Sequence, residues 1–475
     1  MTALRLDDDR ALPAEANTRA TAREIYAAVR ELPLVCMHGH VDAGLLARDE
    51  PFGDPATLLV VPDHYLVRML VSQGFTNSEL GVARSDGGPV ETDPRAIWRR
   101  FCEHWYLFRG TPTRYWLEHE LAEVFGVTEA PGPDSADALY DELAEKLADP
   151  AFRPRALFDR FRIELLSTTD PATSELAGHA ALAAEGWGEK VVPTFRPDAV
   201  LHVGRDGWSR SLARLRELAD VEAGDYAGFL EALRRRRRAF LEAGALATDH
   251  GHLSPDLTPL SDTEAERIFA AALEGEVSAA QEAAFAGHML LEMARMSCED
   301  GLVMQLHPGV LRDHDGGAAQ LYGPDTGFDI PIGVDFTRGL RPLLERHGRD
   351  PRLRLVVFTV DETTFSRELA PLAGVYPAMK LGAPWWFLDS PDGMRRYREA
   401  VSETAGFYNT TGFVDDTRAF ASIPARHDLA RRIDAGHLGR LVAEHRLDLD
   451  EAIETATDLA YRLPKRSYAR REGSG

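Results

Sequence analysis

Short, nearly unbroken apolar runs alternate along this chain with longer stretches in which apolar residues recur every three or four positions. The helical stretch "EIYAAVREL" leads into the first run, "PLVCMH", and further runs lie at 162–170, 190–198, 301–309, 352–362, 374–382 and 410–418. Helical periodicity fills the gaps, as in "AAQEAAFAGHMLLEMARMSCED". Continuous apolar strands separated by helices predict a parallel sheet covered on both faces. Polar residues collect at the C-terminal end of run after run: His-Gly-His at 38–40, Thr-Thr-Asp at 168–170, Arg-Pro-Asp at 196–198, His-Pro-Gly at 307–309 and Asp-Asp-Thr-Arg at 415–418. In a (β/α)8 barrel that end carries the active site, so the pattern predicts an α/β, TIM-type barrel.

Two segments exceed a minimal barrel. Residues 92–160 and 207–290 read as helical insertions between strands of one barrel spanning 1–475. The five arginines Arg234 to Arg238 read as a solvated helix face, because acidic and apolar residues flank them. The tail "PKRSYARREGSG" reads as frayed.

Composition narrows the partners. A formal charge of −22 disfavours nucleic acid and anionic membranes, while a local arginine cluster leaves an anionic small substrate open. No apolar run is long enough to span a bilayer, and the N-terminus lacks the apolar segment of a signal peptide. Three scattered cysteines without CxxC spacing suit a reducing compartment. The expectation is a soluble, cytoplasmic protein, with a homo-oligomer left open.

His38 and His40 carry the sharpest chemistry. Residues i and i+2 of a strand point to one side, so both imidazoles can reach one metal ion. A hydrogen-bonded polar pair is the blander alternative. A carboxylate ending another strand strengthens the metal reading, and "GFVDDTRAF" supplies Asp415 and Asp416 on opposite sides, with Asp416 and Arg418 sharing a face.

These residues resemble the uronate isomerase (glucuronate isomerase) family of the amidohydrolase superfamily. The resemblance runs through "DHYLVRML", "GTPTRYWLEHEL", "STTDPATSELAGH", "FRPD", "MQLHPGVLRD", "GPDTGFD", "PWWFLD" and "DDTRAF…RHDLARR" in that order. It implies an amidohydrolase-type barrel that interconverts an aldo-uronic acid and its keto form. It also implies one divalent ion, zinc or manganese, on His38, His40 and Asp416, with His307 as a further ligand or a hydrogen-bonded neighbour. Asp416, Tyr65 and Arg418 match the family's positions for proton transfer and oxyanion stabilisation. His64 and Arg196 match residues lining its site, though Arg196 also has Asp198 as a local partner. Isomerisation through an enediol moves a proton from C2 to C1 and needs positive charge beside the developing oxyanion, which suits this residue set.

The chain departs from the family pattern in places. The lead-in is "VCMHGH", the last-strand signature "DDTR", and Arg312 in "RDHD" and Trp385 in "WWFLD" sit in altered versions of the stretches that read sugar hydroxyls. A metal-dependent hydrolase, lyase or decarboxylase of a related sugar acid, and a non-catalytic sugar-acid binder, are the competing readings.

Overall fold

The computed structural model describes residues 3–470. Its parallel strands, numbered here around the barrel, are β1 (Leu34–Cys36), β2 (Ile163–Ser167, resuming at Asp170–Pro171), β3 (Val191–Val192, resuming at Phe195–Arg196), β4 (Ala247–His252), β5 (Val303–Pro308), β6 (Leu355–Val357) and β7 (Met379–Leu381). Each pairs in parallel with the next: Leu34 with Ile163, Leu166 with Val191, Phe195 with Thr248, Ala247 with Val303, Met304 with Leu355, and Leu355 with Met379.

The eighth position is held by an extended run at 409–417 rather than the ladder strand expected over 410–418. It bridges to β7 through Leu381 and Thr410. The Thr411 N–H donates to the Leu381 carbonyl at 3.0 Å. On its other side the Asp416 N–H donates to the His38 carbonyl (3.1 Å) and the His40 N–H to the Thr417 carbonyl (2.9 Å), which closes the barrel. Two left-handed residues break the ladder, Gly412 (φ +78°) and Asp416 (φ +41°). At Gly412 a Cβ would stand 2.5 Å from the Leu459 carbonyl oxygen, so only glycine fits.

Strand alternation sorts the side chains. On β5, Met304 and Leu306 join the large core packed beneath the helices, while Gln305 and His307 turn to the interior. Among the described residues no helix is long and apolar enough to cross a membrane.

Three expectations are corrected. The segment 207–290 is not helical throughout, because β4 lies inside it; the helices Tyr226–Glu242 and Ala279–Asp300 lead into β4 and β5. "ATDHGH" escapes a hydrophobicity reading because its polar groups are buried and mutually bonded. The arginine run is only partly solvated. Arg237 is 1% exposed, clamped on Asp300 and Ser297, and Arg236 donates to the carbonyls of Ala172 and Ser174. The tail is ordered as a helix over Leu463–Tyr468, and residues 471–475 lie outside the described residues.

Tyr468 is fully buried and its hydroxyl donates to the Gln305 side-chain oxygen at 2.9 Å, tying the C-terminal helix to the barrel interior. Tyr468→Ala should therefore cost about 3–5 kcal/mol, the usual range for truncating a buried aromatic. Chemical denaturation checks this, and a loss below about 1 kcal/mol would mean the terminal helix does not support the barrel.

Candidate metal centre and active site

The C-terminal strand ends surround a cavity of about 680 Å³. It is lined by His38, His40, His64, Tyr65, Arg196, His307, Arg312, Trp385, Asp416 and Arg418, so all the residues singled out from the sequence meet in one place. Asp63, Asp198, Arg205, Asp249, Asp313, Asp325 and Arg426 complete its charged lining.

His38 Nε2 and His40 Nε2 both face Asp416 Oδ1, at 3.3 and 3.0 Å. Barrel closure puts Asp416 there, and its left-handed backbone, worth about 1–3 kcal/mol of strain in a non-glycine residue, turns the carboxylate toward β1. Asp415 points the other way. It is fully buried, with Oδ2 accepting from His427 Nε2 at 3.2 Å beside Cys36. The opposition of Asp415 and Asp416 read from alternation is the geometry observed.

His307 stacks on His38 with ring centres 4.6 Å apart, and its Nδ1 is bonded to Asp249 Oδ1 at 2.6 Å. That bond leaves Nε2 buried without a hydrogen-bond partner, as is His38 Nδ1. Buried polar atoms are seldom left so, and these belong to two overlapping clusters, His38–His40–Asp416 and His38–Asp249–His307, each compact enough for one ion. Imidazole and carboxylate donors of this kind fit a divalent cation.

Asp249 is the member that hydrophobic pattern missed. Its sequence held one signal, since His250-Gly251-His252 repeats the tripeptide at 38–40. In β4, however, the register sends Asp249 into the cavity, whereas His250 bonds back to Thr248. Arg196 lies between Asp249 (3.2 Å) and Asp198 (2.8 Å), so it has its local partner and also lines the cavity.

A second group supports Tyr65. Asp63 caps the helix His64–Val71, accepting from the Tyr65 N–H at 2.8 Å. The Tyr65 ring stacks on His64 and meets Trp116 edge-on. Burial pushes the Tyr65 phenol well above its ordinary range, so it stays protonated at neutral pH. Burial, helped by the Arg418 charge, pulls His64 down to about 3 and keeps it neutral. Arg426 lies 3.7 Å above the Trp116 ring and pairs with Asp389 at 2.5 Å. Burial, resisted by Arg426, raises Asp389 to about 7. Trp385 packs edge-on against His307, and Arg312 lies over the Trp386 ring.

A family model described as glucuronate isomerase matches residues 16–468. The chain belongs to that family. It is 53% identical over 463 residues to the uronate isomerase of Rhizobium meliloti (strain 1021), covering 98% of this chain and 99% of that protein. The crystal structure of glucuronate isomerase from Caulobacter crescentus superposes with a TM-score of 0.97 at 50% identity, covering 100% of this chain and 99% of that one. The uronate isomerase of Thermotoga maritima gives 0.91 at 27% identity, covering 98% and 99%. Family membership and fold agree with the resemblance read from the motifs, and this chain is an isomerase-family enzyme on a TIM-type barrel.

Glu120, buried near Asp63 and Arg426, is raised to about 8 by burial first and by Asp63 second, with Arg426 opposing. An acid raised on folding weakens the native state increasingly as pH climbs from its unfolded value of about 4.5 through about 8. Glu120→Gln should thus raise stability by on the order of 4–5 kcal/mol at pH 9 and by under about 1 kcal/mol at pH 5. Denaturation midpoints at the two pH values test this, and an equal effect at both would show that Glu120 is not held neutral.

Proposed function

We propose that this enzyme interconverts an aldo-uronic acid with its keto form, in the manner of D-glucuronate to D-fructuronate or D-galacturonate to D-tagaturonate, by proton transfer through an enediol. The observation that carries the reading is the convergence of Asp416, Tyr65 and Arg418 on one cavity beside the His38–His40 pair. His38, His40 and Asp416 would hold one divalent ion, zinc or manganese, with His307 kept available by its bond to Asp249. When bound, such an ion supplies Lewis-acidic positive charge to sugar oxygens.

The chain's own groups account for the rest. Asp416 is a carboxylate able to take the C2 proton and return it at C1, while the Tyr65 hydroxyl can donate to the carbonyl oxygen as the enediol forms and recover its proton from the C2 hydroxyl. Tyr65 begins with its proton in place. Arg418, its side chain 38% exposed, offers a guanidinium to the enediolate oxygen or the substrate carboxylate. Arg196 and Arg312 border the space for hydroxyls and carboxylate, and Trp385 and Trp386 form its apolar wall. Six aspartates line the cavity against five arginines, so an anionic substrate gains from added cationic charge there.

A panel of uronic acids, lactones and amides offered to the metal-loaded enzyme tests the assignment. Isomerisation of a uronate supports it, and hydrolysis of a lactone or amide with no uronate turned over replaces it with the hydrolase reading. His38→Ala should lower metal content, measured by elemental analysis, together with activity; full occupancy in that variant would remove His38 from the ligand set. Tyr65→Phe should slow turnover by roughly 10²–10⁴-fold while metal is retained, the usual size of an acid–base contribution. Unchanged turnover would take Tyr65 out of the mechanism.

A further inference from the structure

The arginines best placed to recognise a substrate carboxylate already share an internal one. Asp325 accepts from Arg312 through Oδ1 at 3.2 Å and from Arg418 through Oδ2 at 3.5 Å. Arg312 has a second, tighter partner in buried Asp329, at 2.8 Å. For Arg418, Asp325 is the ion-pair partner, and the contact is long and open to solvent.

The strap that carries Asp325 is docked on its surroundings. It leaves the barrel as Val310–Leu311 and returns as Ile330–Pro331, the two paired antiparallel. The strap is docked on the segment that follows Tyr65: the Ser85 N–H donates to the Leu321 carbonyl (2.7 Å), the Ser78 and Tyr322 hydroxyls meet at 3.0 Å, and the Asn77 side chain donates to the Thr326 carbonyl. Gly327, at φ +101°, lets the strap approach the helix His64–Val71, where a Cβ would stand 3.0 Å from that of Arg68. Asp325 itself is left-handed at φ +60°, which turns its carboxylate inward to the cavity it lines.

We propose that Asp325 sets charge selectivity at the sugar-acid end of the site, admitting a carboxylate monoanion and refusing a phosphate dianion. Arg312, Arg418, Asp325 and Asp329 balance one another in formal charge. An incoming carboxylate can draw Arg418 away from its long contact while Asp325 keeps Arg312, and the group then carries one surplus negative charge. A sugar 6-phosphate, with about 1.5–2 negative charges at neutral pH, brings nearly twice that surplus beside a fixed carboxylate. Like charges a few ångströms apart in a partly desolvated cleft repel strongly, so the dianion is rejected more than size alone requires. The proposal rests on the sugar-acid reading above, but its test does not require turnover.

Calorimetric binding of glucuronate and of glucose 6-phosphate to the metal-loaded native enzyme, Asp325→Asn and Asp325→Glu provides that test. Asp325→Asn should tighten glucose 6-phosphate by roughly ten-fold or more and glucuronate by only about three-fold, the scale of a screened ion pair. Asp325→Glu, which keeps the charge, should retain the native preference. The proposal is overturned if Asp325→Asn binds the phosphate no tighter than the native enzyme, or tightens both ligands equally. Glucuronate that binds without being isomerised removes the isomerase reading and leaves the binding ratio to decide the charge filter. A native enzyme that does not bind glucuronate overturns both.

Discussion

Two backbone hydrogen bonds, from Asp416 to His38 and from His40 to Thr417, join the first strand of the barrel to the last across almost the whole chain. The candidate centre depends on them. The parallel ladders between β1 and β7 would leave an open, twisted sheet whose edge at His38 lacked a neighbour. Closure satisfies that edge and brings the Asp416 carboxylate to the two imidazoles in the same step. The left-handed backbone at Asp416 is tolerated because neighbours on both sides hold it: closure bonds toward β1, and the buried Asp415–His427 contact behind.

The cavity that results is unusually dense in opposed charges. Three of its five arginines are held in ion pairs: Arg196 by Asp198 and Asp249, Arg312 by Asp325 and Asp329, Arg426 by Asp389. Such networks hold long side chains in one geometry, which suits recognition of a planar carboxylate, and they keep the site from being a generic anion trap. Beneath them, the Tyr65 phenol and the His64 imidazole are kept uncharged by burial. Ionic groups therefore ring the cavity while a neutral phenol and a neutral imidazole sit among them.

Much of this was legible in the chain. Strands β1, β3, β5, β6 and β7 lie within the runs read as strands, and β2 overruns its run by one residue, because a strand buried on both faces is largely apolar and its sequence shows it. Polar residues that end β1, β3 and β5 line the cavity for a reason equally local, since a barrel's chain direction places all C-terminal strand ends on one face, whereas Thr168 and Asp170 after β2 turn to His179 instead. Where local pattern failed, long-range partners had replaced hydrophobicity. β4 is polar because Asp249 has Arg196 and His307 to bond, and two arginines of the 234–238 run are buried because Asp300, Ser297 and two carbonyls receive them. The tail reads as polar, yet Gln305 at the barrel's centre fastens Tyr468.

The sequence by itself determined the alternation of strands and helices and the end of the barrel that carries chemistry, because periodicity and chain direction are local properties; for most of the residues expected there it spoke only through the motifs that carry the family resemblance. Only the tertiary structure decided how those residues are paired. Whether His307 presents Nε2, whether Arg418 is bound or available, and which of two neighbouring aspartates meets β1 are set by Asp249, Asp325 and the closure bonds. Those partners lie tens to hundreds of residues away along the chain, and side-chain electrostatics acts over a few ångströms of space rather than along the sequence.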